Sequence, residues 1–212
     1  MKEHSIHSLI DLSHPLTDHM SIYPGDEPAR LEKINDFARD GFSNFRLTSG
    51  MHAGTHIDGP MHMTNSDRFI DDLPLERFIG TGCLLNAVGM NVITITPEFT
   101  SAIVPESIVL IHSGFSALCG MDKYYNDHPV ISMELAQFLV KQQIKMVCLD
   151  TPSPDRLPYD VHMFLLKHSV LIAENLTGME KLLTVKKFEI IAFPLRIHTD
   201  SSPVRIVARI LE

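Results

Sequence analysis

Four side chains able to bind a divalent cation fall within eleven consecutive positions: His52, His56, Asp58 and His62, in His52-Ala-Gly-Thr-His-Ile-Asp-Gly-Pro-Met-His62. Imidazole nitrogen and carboxylate oxygen are the donor set expected for zinc, manganese or iron. Gly54, Gly59 and Pro60 interrupt the run, and the glycines let the backbone bend closely around an ion. All four candidates occupy even positions, so an extended strand would place them on one face. A straight strand still fails for a single ion. At ~3.3 Å per residue, His52 and His56 would stand roughly 13 Å apart, too far for two bonds of ~2.1 Å. One helical turn, or a bend at Gly54, brings them to about 6 Å. The preceding strand is therefore expected to end near His52, with the segment coiling before Pro60. Any one of these histidines alone reads as a surface residue. The His-x3-His-x-Asp spacing with interleaved glycines singles the segment out.

The elements that must position these residues are mostly strands. Ser5–Leu12, Arg30–Ile34 and Asn44–Ser49 have strand character, the latter two as a hairpin-like pair turning near Asp40-Gly41. Thr81–Val88, Ser107–Ile111, Met146–Leu149, Val170–Ala173, Phe188–Leu195 and Val204–Leu211 are apolar runs that predict further strands. Helical spacing marks Ser132–Gln142, with Ser132 as N-cap and Glu134 in the first turn, and a short helix is predicted over Tyr159–Lys167. Strands outnumber helices without sustained βαβ alternation, which predicts an α+β fold with a mixed β-sheet core and a few flanking helices. No repeat, linker or composition shift divides the chain, so residues 1–212 are expected to form a single domain.

Composition narrows the function classes. The chain has 212 residues, 44% of them hydrophobic and 21% charged, as in a folded globular protein. A net charge of −8 without a basic stripe argues against nucleic acid as a partner. No stretch approaches the roughly 20 apolar residues of a membrane span, and Met1–His7 lacks a signal-peptide core. Cys83, Cys119 and Cys148 are odd in number and set in apolar surroundings, which suits reduced thiols in a cytoplasm. No Gly-x-Ser-x-Gly elbow supplies a serine nucleophile. Glu174 ends an apolar strand, where an acid is costly to bury without a cation.

The pattern His52-x-Gly54-Thr55-His56-x-Asp58-x-Pro60-x-His62 resembles the signature of the cyclase family of metal-dependent hydrolases, whose members include bacterial kynurenine formamidase (arylformamidase) and isatin hydrolase. Further stretches are similar to family landmarks: Tyr23-Pro-Gly-Asp26, Asp150-Thr-Pro-Ser-Pro-Asp155, His162, Ala173-Glu-Asn-Leu176, Phe193-Pro-Leu195 and Ser202-Pro-Val-Arg205. The resemblance thus covers essentially the whole chain. It implies the family's swivelling β/β/α fold, a homodimer, and two Zn2+ or Mn2+ ions per chain. By the same resemblance, His52 and His56 would bind the first metal, His162 the second, and Asp58 and Glu174 would bridge the two. His62 would be the general acid/base and Tyr23 a substrate contact. The implied activity is hydrolysis of a C–N bond in a small aryl amide, arylformamidase-like, converting N-formylkynurenine to kynurenine and formate. Isatin hydrolase-like ring opening of a cyclic amide or lactone is the alternative. From a different class, a non-catalytic metal- or ligand-binding relative could dispense with His62, which this chain keeps. The formamidases have Trp in the aromatic-Pro-Gly-Asp element, whereas this chain has no Trp and places Tyr23 there.

Overall fold

The structure is a computed structural model that describes residues 8–211. Ser5–His7 of the first expected strand lie outside the described residues; the strand itself runs over Leu9–Asp11 (β1). Next come β2 (Arg30–Asn35), α1 (Phe37–Asp40), β3 (Asn44–Thr48), β4 (His56–Asp58) and β5 (Ile79–Asn86). They are followed by β6 (Val92–Ile93), α2 (Pro97–Ala102), β7 (Ile108–His112), α3 (Asp122–Asn126), β8 (Val130–Ile131) and α4 (Met133–Lys141). The chain continues through β9 (Met146–Leu149), α5 (Asp160–Lys167), β10 (Leu171–Glu174), β11 (Phe188–Ile191), β12 (Ser201–Pro203) and β13 (Val207–Ile210).

Among the described residues, nine strands join one mixed sheet in the order β1-β13-β11-β5-β7-β9-β10-β4-β12. The central β5, β7, β9 and β10 are parallel, and the flanking pairs are antiparallel. Parallel strands covered on both faces have continuous apolar runs, and β7, β9 and β10 are buried at every position. Alternation along them divides the core in two. Val109, Ile111, Val147 and Leu149 pack under α4 and α5 with Leu135, Leu139 and Leu165. Ile108, Leu110, Met146 and Cys148 pack on the other face with Ile57, Phe78, Phe188 and Ile190. α4 is fixed as its sequence predicts, with Leu135 N–H donating to Ser132 Oγ at 3.2 Å.

Several elements differ from the sequence-based expectation. The segment expected to coil before Pro60 forms β4, because β10 and β12 pair with it on both sides. The strand expected over Phe188–Leu195 stops at Ile191, and the one expected from Val204 starts at Val207. α2 was not anticipated despite a Thr96 N-cap and Pro97 in its first turn. β2 and β3 pair as expected, with α1 at the turn and Gly41 left-handed at its end. This arm buries none of its large apolar side chains: Phe37, Phe42, Phe45 and Leu47 are all exposed.

Candidate metal centre

β4 is the backbone of the site. Its register sets Glu174 of β10 opposite His56, and Ser201 of β12 opposite Asp58. Strand alternation points His56 and Asp58 to one face and Ile57 into the apolar core on the other. His52 is returned to that face by the bend at Gly54, whose φ of +66° is a left-handed conformation that glycine adopts without steric cost. Gly59 serves by its size: a Cβ there would stand 2.5 Å from the carbonyl oxygen of Asp200. His162 arrives from the first turn of α5, whose N-terminal amides at Val161 and His162 donate to the Asp155 carboxylate at 2.7 and 3.2 Å.

These elements converge on Asp58, which is fully buried. Its carboxylate faces His52 Nδ1 at 2.9 Å, His162 Nε2 at 3.1 Å, His56 Nε2 at 3.4 Å, and the Ser201 hydroxyl, which donates at 3.2 Å. Glu174 approaches from the side, 3.4 Å from His56 Nε2 and 3.9 Å from His162 Nδ1. All five residues expected as ligands are therefore brought together. The sixth, His62, lies beside them, its ring centre 4.1 Å from that of His52 and 5.3 Å from that of His162.

The electrostatics are those of a buried anionic cluster. Burial alone would raise the Asp58 carboxyl, but the three surrounding histidines outweigh it and hold the group well below the usual carboxylate range. Burial disfavours the imidazolium of His56 and His162, yet the Asp58 and Glu174 carboxylates lift both above the ordinary histidine value. His52 is likewise opposed by burial and raised, to about 9, by Asp200 and Asp58.

The donor set fits a divalent cation. One ligand atom from each of His52, His56 and Asp58 lies within 4.8 Å of the others, and the same holds for Asp58, His62 and His162. His56 Nε2, His162 Nδ1 and Glu174 Oε1 are buried without a hydrogen-bond partner. Unsatisfied buried polar atoms are costly and uncommon. Three of them meeting in one cluster of imidazoles and carboxylates is the arrangement that a cation relieves.

Sequence reasoning missed Asp200. Its Oδ2 lies 3.0 Å from His52 Nε2 and 3.3 Å from His62 Nδ1, and those contacts depress its carboxyl far below the ordinary value. The only signal was the polar run Thr199-Asp-Ser-Ser202, which has the composition of a loop.

A cavity of about 210 Å³ opens over the cluster. His52, His56, His62, His162 and Glu174 line its floor, and Met20, Tyr23, Met63, Tyr125 and Tyr159 line its walls. Tyr23 is thus one of the residues that line this cavity. Its hydroxyl is 3.3 Å from that of Tyr159, and burial with this contact pushes its phenol up to about 12. Tyr125 meets the Tyr23 ring edge-on at 6.0 Å. Tyr159 holds a left-handed backbone, with φ at +67°, which is strained for a bulky residue and which no propensity foretells.

The family described as "Putative cyclase" matches residues 10–156. The chain belongs to the cyclase family. Kynurenine formamidase of Bacillus cytotoxicus is 29% identical over 207 residues, covering 94% of this chain and 96% of the relative. Among solved structures, isatin hydrolase A from Labrenzia aggregata, bound to benzyl benzoate, superposes with a TM-score of 0.85 at 23% identity. That match covers 97% of this chain and 94% of the other. A potential metal-dependent hydrolase with cyclase activity superposes with a TM-score of 0.77 at 23% identity, covering 97% and 98% of the two chains. Both likenesses show the mixed-sheet fold of this family in the present chain. No helix among the described residues is long and apolar enough to cross a membrane.

Proposed function

We propose that this cyclase-family chain is a metal-dependent hydrolase of a C–N amide bond, arylformamidase-like in its substrate. The observation that carries this is the meeting of five donor residues, three of them with unpartnered buried atoms, on the floor of an aromatic-walled cavity. The 29% identity to kynurenine formamidase over nearly the whole chain supports N-formylkynurenine as the substrate.

In this proposal His52 and His56 would hold one divalent cation and His162 a second, with Asp58 and Glu174 as carboxylate ligands available to both. Zn2+ is the first choice and Mn2+ the second, since both accept this donor set. When bound, such a cation supplies Lewis acidity toward a carbonyl and makes water a nucleophile near neutral pH. The chain's own residues do the rest. The Asp200 carboxylate faces His62 Nδ1 and favours the proton there, leaving Nε2 to exchange a proton with the reacting groups. His62 then delivers a proton to the departing nitrogen as general acid. Tyr23, Tyr125 and Tyr159 present ring faces and edges to an aryl group, and their hydroxyls offer polar contacts.

Isatin hydrolase-like ring opening is the second reading, favoured by Tyr23 standing where the formamidases have Trp. We further propose that residues 1–212 act as one domain, because the sheet pairs β1 with β13 near opposite ends of the chain. A homodimer is supported by the β2–β3 arm, whose exposed Phe37, Phe42, Phe45 and Leu47 form the kind of surface that oligomers cover. A cytoplasmic setting is supported by three free cysteines.

The test is a metal and substrate matrix. Purified protein is analysed for bound metal, then assayed with N-formylkynurenine and with isatin after loading with zinc or manganese. Up to two metals per chain and faster turnover of N-formylkynurenine are expected. Faster isatin opening would favour the second reading. Amide hydrolysis by protein that contains no metal and never met a chelator would overturn both.

A further inference from the structure

His56 can use Nε2 toward a cation only if its remaining proton stays on Nδ1, and the structure contains a device that holds it there. His56 Nδ1 lies 2.8 Å from the carbonyl oxygen of Gly54. A carbonyl only accepts, so Nδ1 is the donor, and Nε2 is the nitrogen left to release its proton in favour of a cation. That same carbonyl also accepts from the side-chain amide of Asn175, Nδ2 at 3.1 Å. Reversing the Asn175 amide would set its oxygen against the Gly54 carbonyl, so Nδ2 stays there and Oδ1, at the other end, receives the Tyr124 hydroxyl at 2.9 Å. Tyr124 is completely buried and held among aromatic neighbours, with the Tyr125 ring centre 5.1 Å away.

The backbone shows why Asn175 is in reach. Along a strand, Glu174 and the next residue would face opposite sides. Asn175 instead adopts φ +56°, in the left-handed region that asparagine tolerates better than most side chains. Glu174 and Asn175 consequently both line the cavity. The turn is clamped on each side: Asn175 N–H donates to the Thr151 carbonyl at 3.0 Å, and its own carbonyl accepts from the Thr55 hydroxyl at 2.6 Å.

We propose that Asn175 and Tyr124 are positioning residues for the metal centre. Tyr124 orients the Asn175 amide, Asn175 and His56 jointly saturate the Gly54 carbonyl, and the His56 ring is thereby fixed in the one tautomer and orientation that presents Nε2. Such outer hydrogen bonds are worth 10–100-fold in metal affinity. This rests on the assignment of His56 as a ligand.

The experiment measures zinc affinity by chelator competition in the wild-type protein, Tyr124→Phe, Asn175→Gly and the double variant, with melting temperatures of the metal-free proteins alongside. Glycine keeps the left-handed backbone, and phenylalanine keeps the buried ring. Asn175→Gly is expected to weaken zinc binding by roughly 10–100-fold and Tyr124→Phe by about 10-fold. The double variant should bind no more weakly than Asn175→Gly, because Tyr124 acts through Asn175. In long-range 1H–15N spectra of the zinc-loaded protein, the His56 Nδ1–H signal should be sharp in wild-type and broadened or shifted in both single variants. Unchanged zinc affinity in both single variants, or losses that add in the double, would overturn the proposal even where melting temperatures fall. A wild-type protein that binds no zinc would overturn the ligand assignment itself, and this proposal with it.

Discussion

Two buried histidine–carboxylate clusters lie at the same end of the parallel strands, and their hydrogen-bond inventories differ. One is the Asp58 centre. The other forms where β7 and β9 end, with His112 Nδ1 3.2 Å from Asp150 Oδ2. Asp150 also accepts from the Ser113 amide at 2.9 Å, the Ser113 hydroxyl at 2.6 Å and the Gly114 amide at 2.8 Å. Neither His112 nor Asp150 has a buried side-chain atom left without a partner, whereas the Asp58 centre leaves three such atoms in one place. Composition alone would rate the two alike. The completed cluster ties two loops together, and the incomplete one is built to receive something.

The contrast can be broken from either side, and the largest effect is expected at the incomplete cluster. His56→Ala should lose metal and turnover together, read by elemental analysis and amide hydrolysis on the same preparation. Full metal occupancy in that variant would remove His56 from the site. His62→Ala should keep most of its metal while kcat falls on the order of 10²–10⁴-fold, the usual loss for a general acid/base. If metal content falls in step with rate, His62 is a ligand instead.

At the completed cluster the effect should fall on stability. Asp150→Ala strands His112 and several donors, and is expected to cost about 3–5 kcal/mol in denaturant unfolding. Zinc affinity of the folded variant should be unchanged; a large loss there would mean that the clusters are coupled. The smallest effect is a pH dependence. The Asp150 hydrogen bond lifts His112 above its ordinary value against the effect of burial. A raised folded-state pKa stabilises below the unfolded value, near pH 6.5, and the gain is lost as pH rises through the folded value. The melting-temperature gap between wild-type and His112→Gln should therefore be widest just below about pH 6.5 and shrink in mild alkali. A gap that grows with pH would contradict the charged pair.

What the sequence made legible follows from how local each signal is. The His52–Asp58 spacing and the bend at Gly54 lie within one short segment, as do the apolar runs of β7, β9 and β10 and the Ser132 cap of α4. Asp200 is 148 positions from His52 and reaches it only through the pairing of β12 with β4. β12 itself has the sequence Ser-Ser-Pro, which lacks strand propensity and is tolerated because it forms the sheet's edge. Tyr159 and Asn175 depend on left-handed backbone conformations imposed by tertiary packing. The resemblance named His162 and Glu174; spacing singled out neither, and the cost of burying an acid at the end of an apolar strand was the one independent pointer, to Glu174.

The position of β4 between β10 and β12 also bears on the order of assembly. Asp58 meets His162 across 104 residues of chain and Ser201 across 143, so no short stretch of chain holds the centre. Long loops must close before such contacts can form, and pairings between strands so far apart in the chain are slow. The donors converge only once β4 has docked on β10. A cation added during refolding should therefore leave the folding rate unchanged and slow unfolding instead, acting as a lock on a finished sheet rather than as its nucleus.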